Sequence, residues 1–223
     1  MFDELVQHPI LGMRFIVRRI TQIPSKGWPR LRRPQADDFD RRYGVETFKT
    51  VQITATDSPS LSHGVRYSPS PEAAIRWSIE NCGMLHEQTT FIDVGSGKGR
   101  VLIVAAEYPF RRVMGVEYSA ELAAACRDNL ERLNIADKCE VVVRDAVDFK
   151  FPDENMLIFL YNPFDSTILT RVLRHLALAR GQVRIAQLGP GHDVLLESGL
   201  TRLVCSGDGP TIYEIVSKRS NPS

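Results

Sequence analysis

The sequence predicts a doubly wound α/β fold: a seven-strand sheet, mostly parallel with a C-terminal antiparallel hairpin, and helices on both faces. From about residue 73 to residue 188, short apolar runs alternate with helical patterns, which is typical of parallel strands joined by right-handed crossovers. A glycine-rich turn at residues 95–99 directly follows one apolar run, as in sheets that bind a ligand at their carboxyl edge. Two further strand patterns, at residues 201–205 and 211–216, flank a glycine-rich turn and predict the closing hairpin.

Each element has its own local signal. The parallel strands are predicted from nearly continuous apolar runs, which suit strands buried on both faces. The helices are predicted from apolar residues on one stripe, and Ser119 is a suitable cap because its hydroxyl can accept a backbone N–H. The predicted strands are residues 91–94, 113–117, 140–144, 156–160 and 183–188, and helices are predicted to begin near residues 71, 100, 119 and 166.

The composition indicates one globular domain with an N-terminal appendage. The 223 residues are 43% hydrophobic and 25% charged, which is enough for a full core. A net charge of +1 gives no specific signal for nucleic acid, and no apolar run is long enough to span a bilayer. The cysteines and histidines show no metal-ligand spacing, so no metal site is predicted. The scattered cysteines favour a reduced, cytoplasmic protein; they are Cys82, Cys126, Cys139 and Cys205.

The first 36 residues differ in character from residues 37–223, which we assign to the main domain. An apolar series after Pro9 predicts one helix, and three later prolines indicate a linker. The arm is basic, and we favour a helix that packs on the main domain. A basic amphipathic helix that touches a membrane surface or an acidic partner is the alternative.

Residues 37–50 pack charged, aromatic and glycine residues together, which is unusual for a linker. They form either a lid over the ligand cleft or a surface turn, and the sequence leaves both open.

Three types of glycine-rich binding loop are candidates for the turn after the strand at residues 91–94. A phosphate-binding P-loop requires Ser or Thr after its Gly-Lys pair, but Gly99 follows Lys98 here. A dinucleotide fingerprint requires its third glycine or alanine at the position that Arg100 occupies. The pattern D-x-G-x-G-x-G is complete, from Asp93 to Gly99.

This stretch, Asp93-Val94-Gly95-Ser96-Gly97-Lys98-Gly99, resembles the first motif of class I S-adenosylmethionine-dependent methyltransferases, the seven-strand, Rossmann-like type. The resemblance implies that S-adenosyl-L-methionine is the cofactor and that the loop binds it. The residues implied are Asp93, Gly95, Ser96, Gly97 and Gly99. It also implies a transferase that moves the methyl group by in-line displacement. The closing hairpin after five parallel strands fits this class, and it does not fit the all-parallel second half of a dehydrogenase.

Acids end the next two strands at the same sheet edge. Glu117 ends the second strand, where a carboxylate can accept both hydroxyls of a ribose; we favour this role over that of a solvated strand-end acid. Asp145-Ala146 follows the third strand. By resemblance, Asp145 accepts a hydrogen bond from the adenine amino group and the Ala146 N–H meets a ring nitrogen. The alternative for Asp145 is a turn cap.

The fourth strand ends in Tyr161-Asn162-Pro163-Phe164. This looks like the N/D-P-P-Y/F motif of methyltransferases that act on nitrogen, with one proline instead of two. By that resemblance the four residues are catalytic: Asn162, which also lies beside the cofactor, holds an acceptor amine, and the aromatic rings pack near it. A rigid strand exit is the other interpretation, and both remain open.

The Tyr67-Ser68-Pro69-Ser70 loop, with Tyr67 as a cofactor contact, adds a resemblance to seven-strand protein-lysine methyltransferases. The resemblance covers roughly Tyr67 to Phe164, and nothing after Phe164 identifies an acceptor. We therefore expect a methyltransferase whose acceptor, a small molecule or a protein side chain, is unidentified; a protein lysine is one amine that fits. The incomplete motif and the basic arm leave one alternative, a catalytically inactive scaffold that binds the cofactor and recruits a partner.

Overall fold

The structure is a computed structural model that describes residues 4–7, 14–17, 38–48, 68–161 and 166–216. The chain divides into two units, residues 1–35 and 36–223. In the first unit, β1 (Glu4–Gln7) pairs with β2 (Arg14–Val17) in an antiparallel sheet of two strands. The sequence analysis expected a helix after Pro9, and the structure has a strand at β2 instead. The physical reason is the run Phe15-Ile16-Val17, since aromatic and β-branched residues favour a pleated strand.

The second unit alternates helices and strands. Its elements are α1 (Asp38–Tyr43), α2 (Glu72–Glu80), a 3-10 turn (His86–Gln88), β3 (Thr90–Val94), α3 (Arg100–Ala105), β4 (Arg112–Glu117), α4 (Ala120–Arg132), β5 (Cys139–Val143), β6 (Met156–Tyr161), α5 (Ser166–Leu176), β7 (Val183–Leu188), α6 (His192–Glu197), β8 (Thr201–Ser206) and β9 (Thr211–Ile215). No helix within the described ranges is long and apolar enough to cross a membrane.

The seven strands of this unit form one sheet in the order β5-β4-β3-β6-β7-β9-β8. Strands β3 to β7 pair in parallel, and β9 runs antiparallel to both β7 and β8. The predicted fold class is confirmed. The chain moves outward from β3 to β5 and then returns to the other side of β3 as β6, so the strand order reverses at β3. Open α/β sheets bind ligands at such a switch point, outside the carboxyl ends of the strands.

Each face of the sheet is covered by its own core. Phe91 and Phe159 point to the face that carries α2, α3 and α4. Ile92 and Ile158 point to the opposite face, which carries α5. Because side chains alternate along a strand, Asp93 lies on the same face as Phe91, beneath the start of α3.

Candidate active site

The loop between β3 and α3 folds back over the end of β4. Gly95, Gly97 and Gly99 have φ angles of 84°, 51° and 86°, a region that glycine adopts without a steric penalty. The backbone N–H groups of Gly95 and Ser96 both donate to the Val116 carbonyl, at 2.8 and 3.1 Å. The loop is therefore tied to β4 by its own backbone.

Gly99 has a packing role as well as a conformational one. A Cβ atom at this position would lie 2.5 Å from the Cys126 sulfur of α4, closer than two such atoms can approach. The start of α3 consequently rests directly on α4. The sequence analysis assigned Gly99 to cofactor binding alone and did not foresee this contact, because Cys126 lies far away along the chain.

Two buried acids, Asp93 and Glu117, stand at the ends of β3 and β4. Both residues are 3% exposed. The Glu117 carboxylate accepts the Gly97 N–H at 2.8 Å and the Ser119 N–H at 2.9 Å, so it binds the glycine loop and the start of α4 together. The Ser119 hydroxyl accepts the Leu122 N–H at 3.3 Å, which confirms the predicted cap.

Burial sets the proton affinity of these two acids. Desolvation, with repulsion from Glu117, raises the pKa of Asp93 well above its usual range. Desolvation also raises the pKa of Glu117, although its backbone N–H partners oppose the rise. Paired acids with raised pKa values in one place are a common feature of functional sites.

The Asp145 side chain caps the turn that follows β5. Its carboxylate accepts the Val147 N–H at 3.0 Å, which is the cap geometry considered as the alternative to adenine binding. Ala146 is 5% exposed and packs in the core on the α5 face. The Arg144 N–H donates to the Glu117 carbonyl at 2.9 Å, so this turn is held beside the strand-end acid.

Tyr118 is a residue of this edge that the sequence analysis missed. Burial and the nearby charges of Glu117 and Asp145 raise the pKa of Tyr118. An aromatic residue directly after a strand-end acid was the available signal.

Tyr161 is the part of the fourth-strand motif that the structure describes. It ends β6, is half-buried and packs on the core that contains Phe159. Phe159 pairs in register with Asp93 of β3, so Tyr161 lies further along the same face of the neighbouring strand. The other predicted site residues of this motif, Asn162, Pro163 and Phe164, lie outside the described residues, and so does Tyr67.

Residues 38–48 lie against the glycine loop. Phe39, Val45 and Thr47 are buried, so this segment is not a plain surface turn. It supplies partners to Lys98 of the loop and to Arg100, the first residue of α3. The sequence analysis gave no role to these two buried residues.

Elsewhere on the carboxyl edge, α6 begins at His192, whose Nδ1 lies 2.8 Å from the Tyr213 hydroxyl. Burial lowers the pKa of His192, although the charge of Asp193 opposes the shift. Within the part of the chain that the structure describes, no cluster of three or more potential metal ligands occurs.

The chain resembles known proteins in both sequence and fold. Residues 85–188 match the family model described as a methyltransferase domain. The ribosomal protein L11 methyltransferase of Enterobacter sp. is 26% identical over 180 residues, which cover 78% of this chain and 57% of that protein. Its counterpart from Salmonella arizonae is 26% identical over 147 residues, covering 61% of this chain and 48% of that protein. The chain thus spans about half the length of these curated relatives.

Solved structures show the same architecture. An RNA methyltransferase from Salinibacter ruber in complex with S-adenosyl-L-homocysteine has a TM-score of 0.50 at 21% identity, over 69% of this chain and 96% of that one. A SAM-dependent O-methyltransferase from Thermotoga maritima has a TM-score of 0.50 at 16% identity, over 68% of this chain and 67% of that one.

The fold and the glycine loop are those of a Rossmann-like protein with a seven-strand sheet. Within this sheet, residues 85–188, just under half of the chain, match a methyltransferase domain.

Proposed function

We propose that the protein transfers a methyl group from S-adenosylmethionine to an amine nitrogen, for which a protein lysine is the leading candidate. The observation that carries the proposal is the convergence of Asp93, the glycine loop and Glu117 at one sheet edge. A protein acceptor is supported by the curated relatives, which are named for ribosomal protein L11. An amine acceptor is supported by the Asn162-Pro163-Phe164 motif.

The chemistry requires no activated nucleophile on the enzyme. When bound, S-adenosylmethionine would supply a methyl group on a positively charged sulfur. Attack by the nitrogen lone pair would break the carbon–sulfur bond, release S-adenosylhomocysteine and leave a methylated ammonium ion that can lose a proton to solvent. The protein contributes in-line orientation and exclusion of water. A lysine acceptor must first lose its proton, and an apolar, aromatic pocket favours the neutral amine by lowering its pKa.

The residues of the sheet edge contact different parts of the cofactor in this proposal. Glu117 accepts the ribose hydroxyls, and Asp93, Gly95, Ser96 and Gly97 surround the remainder of the cofactor. Asp145 and Ala146 border the adenine, with one Asp145 oxygen already engaged by Val147. We place the acceptor between Tyr161-Asn162-Pro163-Phe164 and the loop that contains Tyr67, because β6 lies beside β3 and its exit flanks the crevice.

The compartment is also part of the proposal. We assign the protein to the cytoplasm on the basis of its four cysteines, all of which are free thiols, as expected in a reducing environment.

Binding calorimetry with S-adenosylhomocysteine tests the cofactor assignment. The wild-type protein is expected to bind, and Gly97→Arg is expected to abolish binding because the side chain fills the ligand's space at a position with φ of 51°. A wild-type protein that does not bind would overturn the proposal.

Transfer of methyl groups from labelled S-adenosylmethionine in whole-cell lysate then distinguishes an enzyme from a scaffold. Label in protein supports a protein acceptor, and no label in any fraction supports the scaffold.

Two substitutions separate the acceptor side of the site from the cofactor side. Asn162→Ala is expected to lower turnover much more than cofactor affinity, because this proposal assigns the side chain to the acceptor and not to the adenosine. Glu117→Ala is expected to raise the dissociation constant of S-adenosylhomocysteine about tenfold or more, through loss of charge-assisted hydrogen bonds. Steady-state kinetics and calorimetry measure the two effects. Full turnover by Asn162→Ala would show that the motif is only a strand exit.

A further inference from the structure

The glycine loop and the first residue of α3 contribute two buried cationic residues that methyl transfer does not use. Lys98 is 2% exposed and Arg100 is 6% exposed. A buried charge is costly unless it is paired and hydrogen-bonded. Both side chains find their partners in residues 38–48, which lie about 50 to 60 positions earlier in the chain.

Arg100 is held on three sides by this segment. Its Nε donates to the Thr47 hydroxyl at 2.8 Å, and one terminal nitrogen lies 3.3 Å from the Asp40 carboxylate. The guanidinium also lies over the Phe39 ring, 4.6 Å from its centroid, a favourable cation–π distance. Burial lowers the pKa of Arg100 to about 10, so the side chain still carries its charge at neutral pH.

Asp40 organises the segment that it belongs to. Its carboxylate accepts the backbone N–H groups of Thr47 and Phe48, at 2.8 and 2.9 Å, as well as the Thr47 hydroxyl. These bonds close residues 40–48 into a compact loop. The same carboxylate faces Arg100, so one acid both shapes the segment and joins it to α3.

Asn129 of α4 connects the segment to the backbone of the glycine loop. Its side-chain oxygen accepts the Glu46 N–H at 3.1 Å, and its amide nitrogen donates to the carbonyls of Glu46 and Lys98, both at 3.1 Å. The Lys98 ammonium lies 3.1 Å from the Glu46 carboxylate. Asn129 is 3% exposed, so these hydrogen bonds are shielded from water.

The loop is thus fixed at two adjacent residues from two directions. Glu117 accepts the Gly97 N–H, and Asn129 donates to the Lys98 carbonyl one residue later. We propose that residues 38–48 form a permanent clamp on the glycine loop, and that Arg100 and Asn129 are positioning residues through which the clamp holds the loop in its cofactor-binding shape. The inference rests on the proposed function, because it concerns the site that takes S-adenosylmethionine.

A clamp differs from a lid in what opening would cost. Swinging residues 38–48 away would leave Arg100 and Asn129 without these partners and would expose the Phe39 ring. Breaking a buried charge pair is strongly unfavourable, because it leaves an uncompensated charge in the interior. The clamp therefore remains closed through the catalytic cycle, and access to the cleft comes from elsewhere.

The test compares Asn129→Ala with a control that loses a buried hydrogen bond at the opposite end of β3. Thr90 is fully buried, and its hydroxyl donates to Glu154 at 2.7 Å, so Thr90→Val is the control. Asn129→Ala is expected to raise the dissociation constant of S-adenosylhomocysteine at least tenfold. Thr90→Val is expected to lower Tm and to leave that constant within twofold. Arg100→Lys keeps the charge but not the forked geometry, and a smaller rise in the same constant is expected.

A measurement without ligand keeps the inference separate from the proposed function. In the free protein, amide hydrogen exchange of residues 95–100 is expected to be at least tenfold faster in Asn129→Ala, or in Arg100→Lys, than in Thr90→Val. Unchanged exchange, or wild-type affinity in both clamp variants, would overturn the clamp. Failure of the wild-type protein to bind S-adenosylhomocysteine would overturn the proposed function alone, because the exchange result still decides the clamp.

Discussion

At the scale of single residues, Asp93 shows how a buried acid lowers stability. Its carboxylate is buried next to a second acid, Glu117, and its pKa is raised for both reasons. Between the ordinary carboxyl pKa and this raised value, the folded protein keeps a proton that the unfolded chain has already released. The free energy of unfolding therefore falls as pH rises through that interval.

Asp93→Asn removes this effect and is the first prediction at this scale. The free variant is expected to have a higher Tm than the wild-type protein at pH 7, because asparagine removes the cost of burying an ionisable carboxyl group; each kcal/mol gained corresponds to about 2–4 °C in a domain of this size. Its Tm is expected to depend less on pH above the ordinary carboxyl pKa. Thermal melts across this range measure both effects, and parallel curves for the two proteins would contradict the prediction.

The same substitution is expected to weaken cofactor binding, since a stabilised site commonly loses function. Affinity of the wild-type protein for S-adenosylhomocysteine is expected to fall as pH drops through the raised pKa values of Asp93 and Glu117, because the carboxylates become protonated. Calorimetry at several pH values checks this. A flat profile would show that neither carboxylate needs its charge for binding.

At the scale of elements, the contact of α3 with α4 at Gly99 can be measured by a double-mutant cycle. Gly99→Ala is expected to destabilise the protein by about 2–4 kcal/mol, through overpacking and through a Cβ at positive φ. Cys126→Ala removes the sulfur at 2.5 Å and leaves the Cys126 Cβ as the nearest atom, at 3.5 Å. The double variant is therefore expected to recover the steric part, about 1–3 kcal/mol, and to keep the conformational part.

Urea unfolding of the four proteins gives the coupling between the two positions. Additive changes would show that α3 and α4 adjust independently at this contact. Gly83 is a matched control, since it has φ of 65° and a Cβ added there would meet no atom of the described residues within 4 Å. Gly83→Ala is expected to cost only the conformational part.

The elements that the sequence predicts well are those with a local physical signal. Strands β3, β4 and β6 are buried on both faces, so their apolar runs are nearly continuous. The D-x-G-x-G-x-G turn and Glu117 were also predictable, because each stands at the end of a strand that the sequence predicts. The clamp is different, because Asp40 and Arg100 are 60 residues apart and each looks like an ordinary surface charge in the sequence. The β1–β2 pair was missed for a related reason: a four-residue strand is too short to show period-two alternation.

At the scale of the whole molecule, every described contact of the candidate site comes from residues 38–216. The glycine loop, the strand-end acids and the clamp all belong to the unit formed by residues 36–223. The N-terminal unit, by contrast, carries seven basic residues and two acidic ones: Arg14, Arg18, Arg19, Lys26, Arg30, Arg32 and Arg33, with Asp3 and Glu4. Cofactor binding and the basic arm are therefore expected to be separable properties.

Deletion of residues 1–35 is the prediction at this scale. The remaining chain begins two residues before Asp38, the first residue of α1, and retains both the clamp and the glycine loop. It is expected to fold with a Tm within about 2–4 °C of the full chain, which corresponds to a change of roughly 1 kcal/mol, and to bind S-adenosylhomocysteine with a dissociation constant within twofold. Calorimetry and thermal melts on the two proteins check this, and loss of folding or binding would show that the site depends on the arm. Transfer of labelled methyl groups in lysate then tests whether the arm takes part in acceptor recognition. If the shortened protein binds S-adenosylhomocysteine but no longer labels protein, the basic arm recruits the acceptor. If both proteins label equally, residues 36–223 alone recognise the acceptor.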